Sequence, residues 1–441
     1  MRPDRRRLAP RALVPLAVTA LLATALAATP GTAHAVADTT PWQSQVVSTP
    51  YPSVGVNGYP SSLDDITAIS ATEVVAVGHV MTSVSPPTPR AEILTSSANT
   101  TNNGTIWPQN TTPTPLDGAY QSSLSAVDAV NSANVWTAGW SESGPGTPWN
   151  PVIRRRVTGG WTSVPVPTLG TNGATLSGID MLNVNSGWAV GESWDTEHPN
   201  ASQNVILHWN GTTWTKMSVP SEPGGYNGLY SVTATGPNDV WAVGGYSPSG
   251  FTNIAGTRRD NVILHWDGAS WQLKTPKPTT DLNPRPASSP GAVGNLLHHL
   301  VVVSATEAYA MGTQITTSWI QRVPLVLKWD GTSWTPFTHD LNDGGLGWDL
   351  TDAQVISPTE IYFVGYQHDT SWDIVDHEFA RRWDGTQFVA ETLPTAPTGN
   401  VNGDRVASAL SSVTGLPNGQ TWIAGHTRSN KNQVLYKDVT P

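Results

Sequence analysis

Ten residues, Val262-Ile-Leu-His-Trp-Asp-Gly-Ala-Ser-Trp271, constrain this chain more than any other stretch. An apolar strand runs into Asp267-Gly268, and a second strand opens on Trp271. Asp-Gly supplies the two positive-φ residues of a type I′ turn, so the spacing predicts a hairpin with a two-residue turn. The same unit recurs at 205–214, 325–334 and 379–388, and more loosely at 152–161. One such hairpin cannot bury its own apolar face. Repeated through the chain, it demands neighbours that stack on it, which is a repeat architecture.

Ahead of each hairpin stand two further strands, one led by Leu and one closing on Gly. The pairs are 63–69 with 74–78, 124–130 with 135–139, 176–182 with 188–191, and 229–235 with 240–244. They continue as 297–303 with 308–312, 350–356 with 361–365, and 410–416 with 421–425. The closing glycines recur every 52 to 68 residues, the period of a four-stranded blade with loops of varied length. With 40 Gly, 36 Pro and 20 Trp against 13% charged residues, the composition is that of an all-β protein. The expectation is a seven-bladed β-propeller of four-stranded antiparallel blades. The last repeat lacks its outer strand, and the segment 42–50, led by Trp42, carries the Trp-then-Pro pattern of the outer strands elsewhere. It is expected to complete the last blade and close the ring.

The N-terminus reads differently. Five arginines between positions 2 and 11 precede an Ala/Leu-rich run from Leu13 to Ala28 and an Ala33-His34-Ala35 cleavage pattern. Residues 1–35 are therefore read as a secretory signal peptide, exported by the general or, through Arg5-Arg6, the twin-arginine route; residues 36–441 form one propeller domain. A secreted, extracellular and monomeric product without membrane insertion is expected. Cleavage removes five Arg and one Asp, leaving 18 Lys+Arg against 32 Asp+Glu, a net charge of −14. That balance argues against nucleic acid as a partner.

The Trp-Asp-Gly-x-Ser-Trp hairpin resembles a shortened Asp-box, the turn motif of sialidase-like propellers, with a more distant likeness to kelch-like ones. Together with Asp239-Val-Trp-Ala-Val-Gly244 it is similar to secreted propeller-repeat proteins of actinobacterial type. The resemblance spans essentially all of residues 36–441 and implies the fold. It implies no chemistry: Asp267 stands one residue closer to Trp271 than in an Asp-box, and no Phe/Tyr-Arg-Ile-Pro motif is present. The chain also has no Cys for a galactose-oxidase-type cofactor.

Function is therefore sought in the loops. In an up-and-down blade the loops between the second and third strands, and between one blade and the next, share one face. Fourteen tryptophans occupy repeat positions and are read as packing between blades. The remaining six, Trp140, Trp149, Trp194, Trp319, Trp348 and Trp372, all fall in those loops. Indoles there can stack on the C–H faces of sugars, with Glu192, Asp195, Asp349 and Asp373, and Asn200 and Gln367, meeting the hydroxyls. The leading expectation is a non-catalytic propeller binding a polysaccharide or other glycan, or a cell-surface partner. The alternatives are an extracellular polysaccharide-degrading hydrolase or lyase on the same face, drawing on Tyr226 or His426, and a platform that docks a surface protein. No organic cofactor is implied. The one place the residues would admit a divalent cation is the loop carrying His368, Asp369, Asp376 and His377, whose spacing matches no zinc or EF-hand pattern. His298 and His299, adjacent on a strand, are expected to point to opposite sides.

Overall fold

Each repeat folds as an antiparallel meander, because its strands are rich in β-branched and aromatic residues and are parted by Gly, Asn and Asp. The computed structural model describes residues 42–44, 61–84, 87–98, 105–106, 118–221, 225–247, 260–275, 294–315, 322–337, 341, 348–368, 376–394, 408–416, 418–427 and 433–437. All belong to the unit Thr40–Pro441; the other unit, Met1–Thr39, which holds the expected leader, lies outside them.

Strand β1 (Gln43–Ser44) belongs to the last sheet. Sheet 1 comprises β2 (Ser62–Ser70), β3 (Glu73–Val84) and β4 (Pro87–Thr95), and is followed by a ribbon of β5 (Ser97–Ala98) and β6 (Thr105–Ile106). Sheet 2 comprises β7 (Gln121–Asn131), β8 (Asn134–Glu142), β9 (Asn150–Val157) and β10 (Gly160–Val164). Sheet 3 has β11 (Ala174–Asn183), β12 (Ser186–Asp195), β13 (His198–Trp209) and β14 (Trp214–Lys216). Sheet 4 has β15 (Tyr226–Gly236), β16 (Asp239–Ser247), β17 (Asp260–Trp266) and β18 (Trp271–Leu273). Sheet 5 has β19 (Gly294–Ser304), β20 (Glu307–Ile315), β21 (Arg322–Trp329) and β22 (Trp334–Pro336). Sheet 6 has β23 (Trp348–Ser357), β24 (Glu360–His368), β25 (Asp376–Trp383) and β26 (Phe388–Ala390). Sheet 7 has β27 (Ser408–Gly415), β28 (Thr421–Thr427) and β29 (Gln433–Lys437), and β1 pairs with β29 as Gln43↔Lys437 and Ser44↔Tyr436. The first strand of each sheet touches the first strand of the next, and β27 returns to β2.

Two expectations need correction. The repeats predict seven four-stranded blades; the structure has six, because sheet 1 shows three strands among the described residues. No Asp-Gly turn follows β4. The longer connection Ser96-Ser-Ala-Asn-Thr-Thr-Asn-Asn-Gly104 carries the chain past the sheet edge, and pairing passes to the ribbon, Ser97↔Ile106 and Ala98↔Thr105. The hairpin turn also differs. Trp266 pairs with Trp271, so the loop has four residues rather than two. Gly268 supplies the positive φ of +93°, but Asp267 acts through its side chain: Oδ1 accepts the backbone N–H of Ala269 and of Ser270, each at 2.9 Å. Asn210, Asp330 and Asp384 do the same in sheets 3, 5 and 6. An Asx loop of this kind needs one glycine, where a type I′ turn needs two permissive residues.

The core lies between sheets. In sheet 2, Trp136 packs on Trp209 and Trp214 of sheet 3, with ring centroids 5.0 and 5.8 Å apart. Trp241 of sheet 4 meets Trp329 and Trp334 of sheet 5 at 5.1 and 5.5 Å. Tyr309 and Tyr362 hold the corresponding place in sheets 5 and 6, and Trp42 seals the junction of sheets 6 and 7 against Tyr362. Burying an aromatic of this size stabilises the fold by about 2–3 kcal/mol, and these side chains sit at every repeat. The closing glycines explain how the sheets come so near the axis. A Cβ on Gly78, Gly139, Gly191, Gly244, Gly312, Gly365 or Gly425 would lie 1.9 to 2.2 Å from a carbonyl oxygen of its own sheet's first strand. Only glycine fits.

Candidate functional site

That close approach coincides with a β-bulge in every first strand. The register slips by one residue after Leu63, Leu124, Leu176, Leu229, Leu297, Leu350 and Leu410. A bulge leaves one residue unpaired and breaks the strict alternation of sides. Two successive residues then face the axis. They line a chamber of about 140 Å³ whose wall includes Asp64 with Asp65, Tyr230 with Ser231, His298 with His299, and Thr351 with Asp352. The expectation that His298 and His299 diverge is thus overturned: the bulge between Leu297 and His299 puts both on the chamber.

First strands of neighbouring sheets share no ladder, so their inward N–H groups need other partners. Acidic and hydroxyl side chains supply them. Asp65 accepts the N–H of Val127 at 2.7 Å, Asp128 that of Met181 at 2.7 Å, and Asp180 that of Ala234 at 2.9 Å. Thr233 donates to Leu300 O at 2.9 Å, His299 Nε2 lies 3.0 Å from Asp352, and Asp352 accepts the N–H of Val413 at 2.8 Å. Thr414 accepts the N–H of Ala68 at 3.1 Å and completes the circuit. Burial and the opposing Asp352 charge push Asp65 up to about 7; burial and Asp128 push Asp180 up to about 8. Burial works against the charged form of His299, but Asp352, Asp65 and Asp180 outweigh it and raise its pKa. Ser412 stands between two of these carboxyls, 2.7 Å from Asp65 and 2.7 Å from Asp352.

At the chamber mouth the residue after each closing glycine reaches toward the next sheet. His79 Nδ1 lies 3.4 Å from Asp64 and 3.3 Å from Ser123 Oγ, and His426 Nδ1 is 3.3 Å from Ser62 Oγ. Burial alone would raise Asp64, but His79, Ser62 and His426 bring it below the usual carboxylate range. Glu192 occupies the same place in sheet 3. Tyr226 donates to its Oε1 at 2.6 Å, yet burial still pushes the carboxyl up to about 7 against Tyr226 and Ser202.

From Glu192 a run of rings leads outward along the predicted face. Tyr226 lies 6.3 Å from Trp194, Trp194 5.8 Å from Trp149 edge to face, and Trp149 is stacked on Trp140 at 5.1 Å. Backbone contacts hold them: Trp194 N–H donates to Gly173 O at 2.9 Å, and Ala174 N–H to Trp149 O at 2.8 Å. Gly173, at φ +108°, makes room, since a Cβ there would sit 2.9 Å from Trp149 N and O. A cleft of about 470 Å³ opens beside Trp149, between β9, β10 and residues 165–173, walled by Pro148, Pro151, Val164 and Leu169. Trp149 is 44% exposed, the indole most open to solvent among the described residues.

The structure therefore brings together Trp140, Trp149, Trp194 and Glu192. Asp195 is nearby but committed: its Oδ1 accepts the N–H of Thr171 at 3.0 Å and the Thr171 hydroxyl at 3.2 Å. Asp349 is buried at 4% exposure and bonded by the Thr313 hydroxyl. Trp319, Trp372, Asp373 and Asp369 lie outside the described residues, as do the side chains of Asn200, Trp348, His368 and Asp376. His377 is exposed and pairs with Gln367 in the β24–β25 ladder; among the described residues no cluster of three acidic or histidine ligands is placed to hold a metal. No helix among them is long and apolar enough to cross a membrane. Sequence reasoning missed Asp64, Tyr230 and Ser231. Their signal was position: each lies one or two residues after the leading Leu.

Neither a known protein family nor a curated protein matches the chain. Solved structures do. The YCF48 protein bound to a D1 peptide is similar over 92% of this chain and 97% of its own, at 11% identity and a TM-score of 0.50. A PL25 ulvan lyase bound to -[GlcA(1-4)Rha3S]- is similar over 86% of this chain and 94% of its own, at 10% identity and a TM-score of 0.51. At such identities the likeness speaks for architecture alone. The chain is an all-β propeller built of four-stranded antiparallel blades.

Proposed function

We propose that this is a secreted propeller that works outside the cell as a monomer and binds carbohydrate through the face carrying Trp140, Trp149 and Trp194. The observation that carries the reading is the unbroken run of four rings ending on a buried carboxyl, with Trp149 open to solvent beside a cleft. An indole face offers a sugar ring a flat apolar platform, and Glu192 and the Thr171 hydroxyl stand near it to meet hydroxyl groups. No organic cofactor is needed for that role. Screening the purified protein on a glycan array, then titrating hits by tryptophan fluorescence, tests it. A bound glycan should lose about tenfold in affinity with Trp149→Ala. An array without hits, or a hit indifferent to Trp149→Ala and Trp194→Ala, removes the proposal.

The Tyr226–Glu192 bond favours one second reading, a polysaccharide-degrading enzyme on the same face. A tyrosine bonded to a carboxyl raised to about 7 has the protonation range of an acid–base pair. Chain shortening of a bound polysaccharide that stops with Glu192→Gln would establish it; intact polysaccharide after prolonged incubation would dismiss it.

A further inference from the structure

The chamber on the propeller axis has a chemistry of its own. Its wall contains Asp64, Asp65 and Asp352, two histidines and a set of serine and threonine hydroxyls, and it contains no Lys or Arg. Asp65 and Asp352 share one Ser412 hydroxyl, which has a single proton to give, and the positive group bonded among them is His299. Asp64, tied to His79, adds a further carboxylate. Ser231 is the independent sign of a ligand: it is 5% exposed, lines the chamber, and has no hydrogen-bond partner among the described residues. A hydroxyl that well buried is ordinarily bonded.

The position of the chamber matters too. Tyr230, on its wall, connects it to the tryptophan run: a Cβ on Gly228 would lie 3.3 Å from Tyr230 Oη and 3.1 Å from Glu192 Oε2. Gly228 thus keeps open the space between the chamber wall and the inner end of the ring series. A volume of about 140 Å³ has room for a few waters at ~30 Å³ each, or for one small polar head group, and not for a sugar chain.

We propose that this chamber is a subsite for a primary ammonium group, and that the glycan bound by the tryptophan face is an amino-sugar chain with a free amine. An ammonium brings three donors and a positive charge. The chamber offers carboxylates and hydroxyl acceptors for both, and would repel the carboxylate or sulfate of an acidic polysaccharide. The identity of the chain rests on the carbohydrate reading above; the ammonium subsite does not.

The test compares glucosamine oligomers with N-acetylglucosamine oligomers of equal length and with uronate oligomers, by titration calorimetry against the full mature chain. The free-amine oligomer should bind about tenfold more tightly than its acetylated counterpart, and the uronate least. Asp64→Asn and Ser231→Ala should each erode that preference while leaving acetylated-oligomer binding unchanged, and Trp149→Ala should weaken both oligomers alike. Equal affinities, or a preference indifferent to Asp64→Asn and Ser231→Ala, overturn the ammonium subsite even where glycan binding stands. Monomeric glucosamine binding that depends on Asp64, without any Trp149-dependent glycan, would keep the subsite and sink the carbohydrate reading. Absence of binding by every probe defeats both.

Discussion

A methyl group on Gly191 would put a carbon 2.0 Å from the carbonyl oxygen of Thr175, within a sheet that cannot part without losing its ladder. Gly191→Ala should therefore cost about 3 kcal/mol in urea-induced unfolding, a large effect for one carbon. Trp149→Ala removes a far larger side chain, but one 44% exposed, and should leave the unfolding midpoint nearly unchanged while it abolishes glycan binding. Trp42 makes the opposite case. It is buried at 4% exposure, packs on Tyr362, and donates its Nε1–H to Glu391 at 3.2 Å. Trp42→Ala should cost about 3–5 kcal/mol, read by the same unfolding curve. The three residues were all conspicuous in the sequence, and their repeat positions correctly separated packing tryptophans from loop ones. What position could not supply was the need for glycine at 191, which comes from an approach between strands.

At the level of the element, the hairpin loop was recognised at once and its geometry was not. Asp-Gly promised a two-residue turn; the ladder resumes two residues later because the side chain of Asp267 bonds two backbone N–H groups and makes a four-residue loop stable. Asn210 does this in sheet 3 without a charge, accepting from Thr212 at 3.0 Å and Thr213 at 2.9 Å. Asn210→Ala should cost about 1 kcal/mol, whereas Asn210→Asp should be close to neutral, measured by thermal unfolding. In sheet 6 the two backbone N–H groups and the Thr386 hydroxyl hold Asp384 down to about 2, so that loop keeps its charge well into acid. The same reasoning separates sheet 1. Its connection after β4 lacks the Asx loop, and its outer pairing falls to a two-stranded ribbon.

The whole molecule is held around its axis by groups that prefer to be protonated. Asp65, at about 7, and Asp180, at about 8, bind protons more tightly in the fold than in the unfolded chain. A carboxyl raised in this way lends stability that is complete below its unfolded pKa near 3.8 and lost as pH rises through its folded value. His299, raised by Asp352, Asp65 and Asp180, changes in the same direction. Stability should accordingly decline between about pH 4 and pH 8, by a few kcal/mol in denaturant titrations. Asp180→Asn should flatten the upper part of that decline. A rise in stability over this range would contradict the account.

The repeated hairpin, the leading Leu, the closing Gly and the aromatic between them determined the propeller, because a strand pair that cannot bury its own face must find an identical neighbour. The side of the disc that carries Trp140, Trp149 and Trp194 followed from strand order alone. The tertiary structure alone decided the chamber. A one-residue bulge turns two successive side chains toward the axis, and ring closure brings Asp65 of sheet 1, distant in the chain, against Ser412 of sheet 7. Neither the bulge nor that meeting leaves a mark on local periodicity, since both are consequences of sheets crowding around one axis.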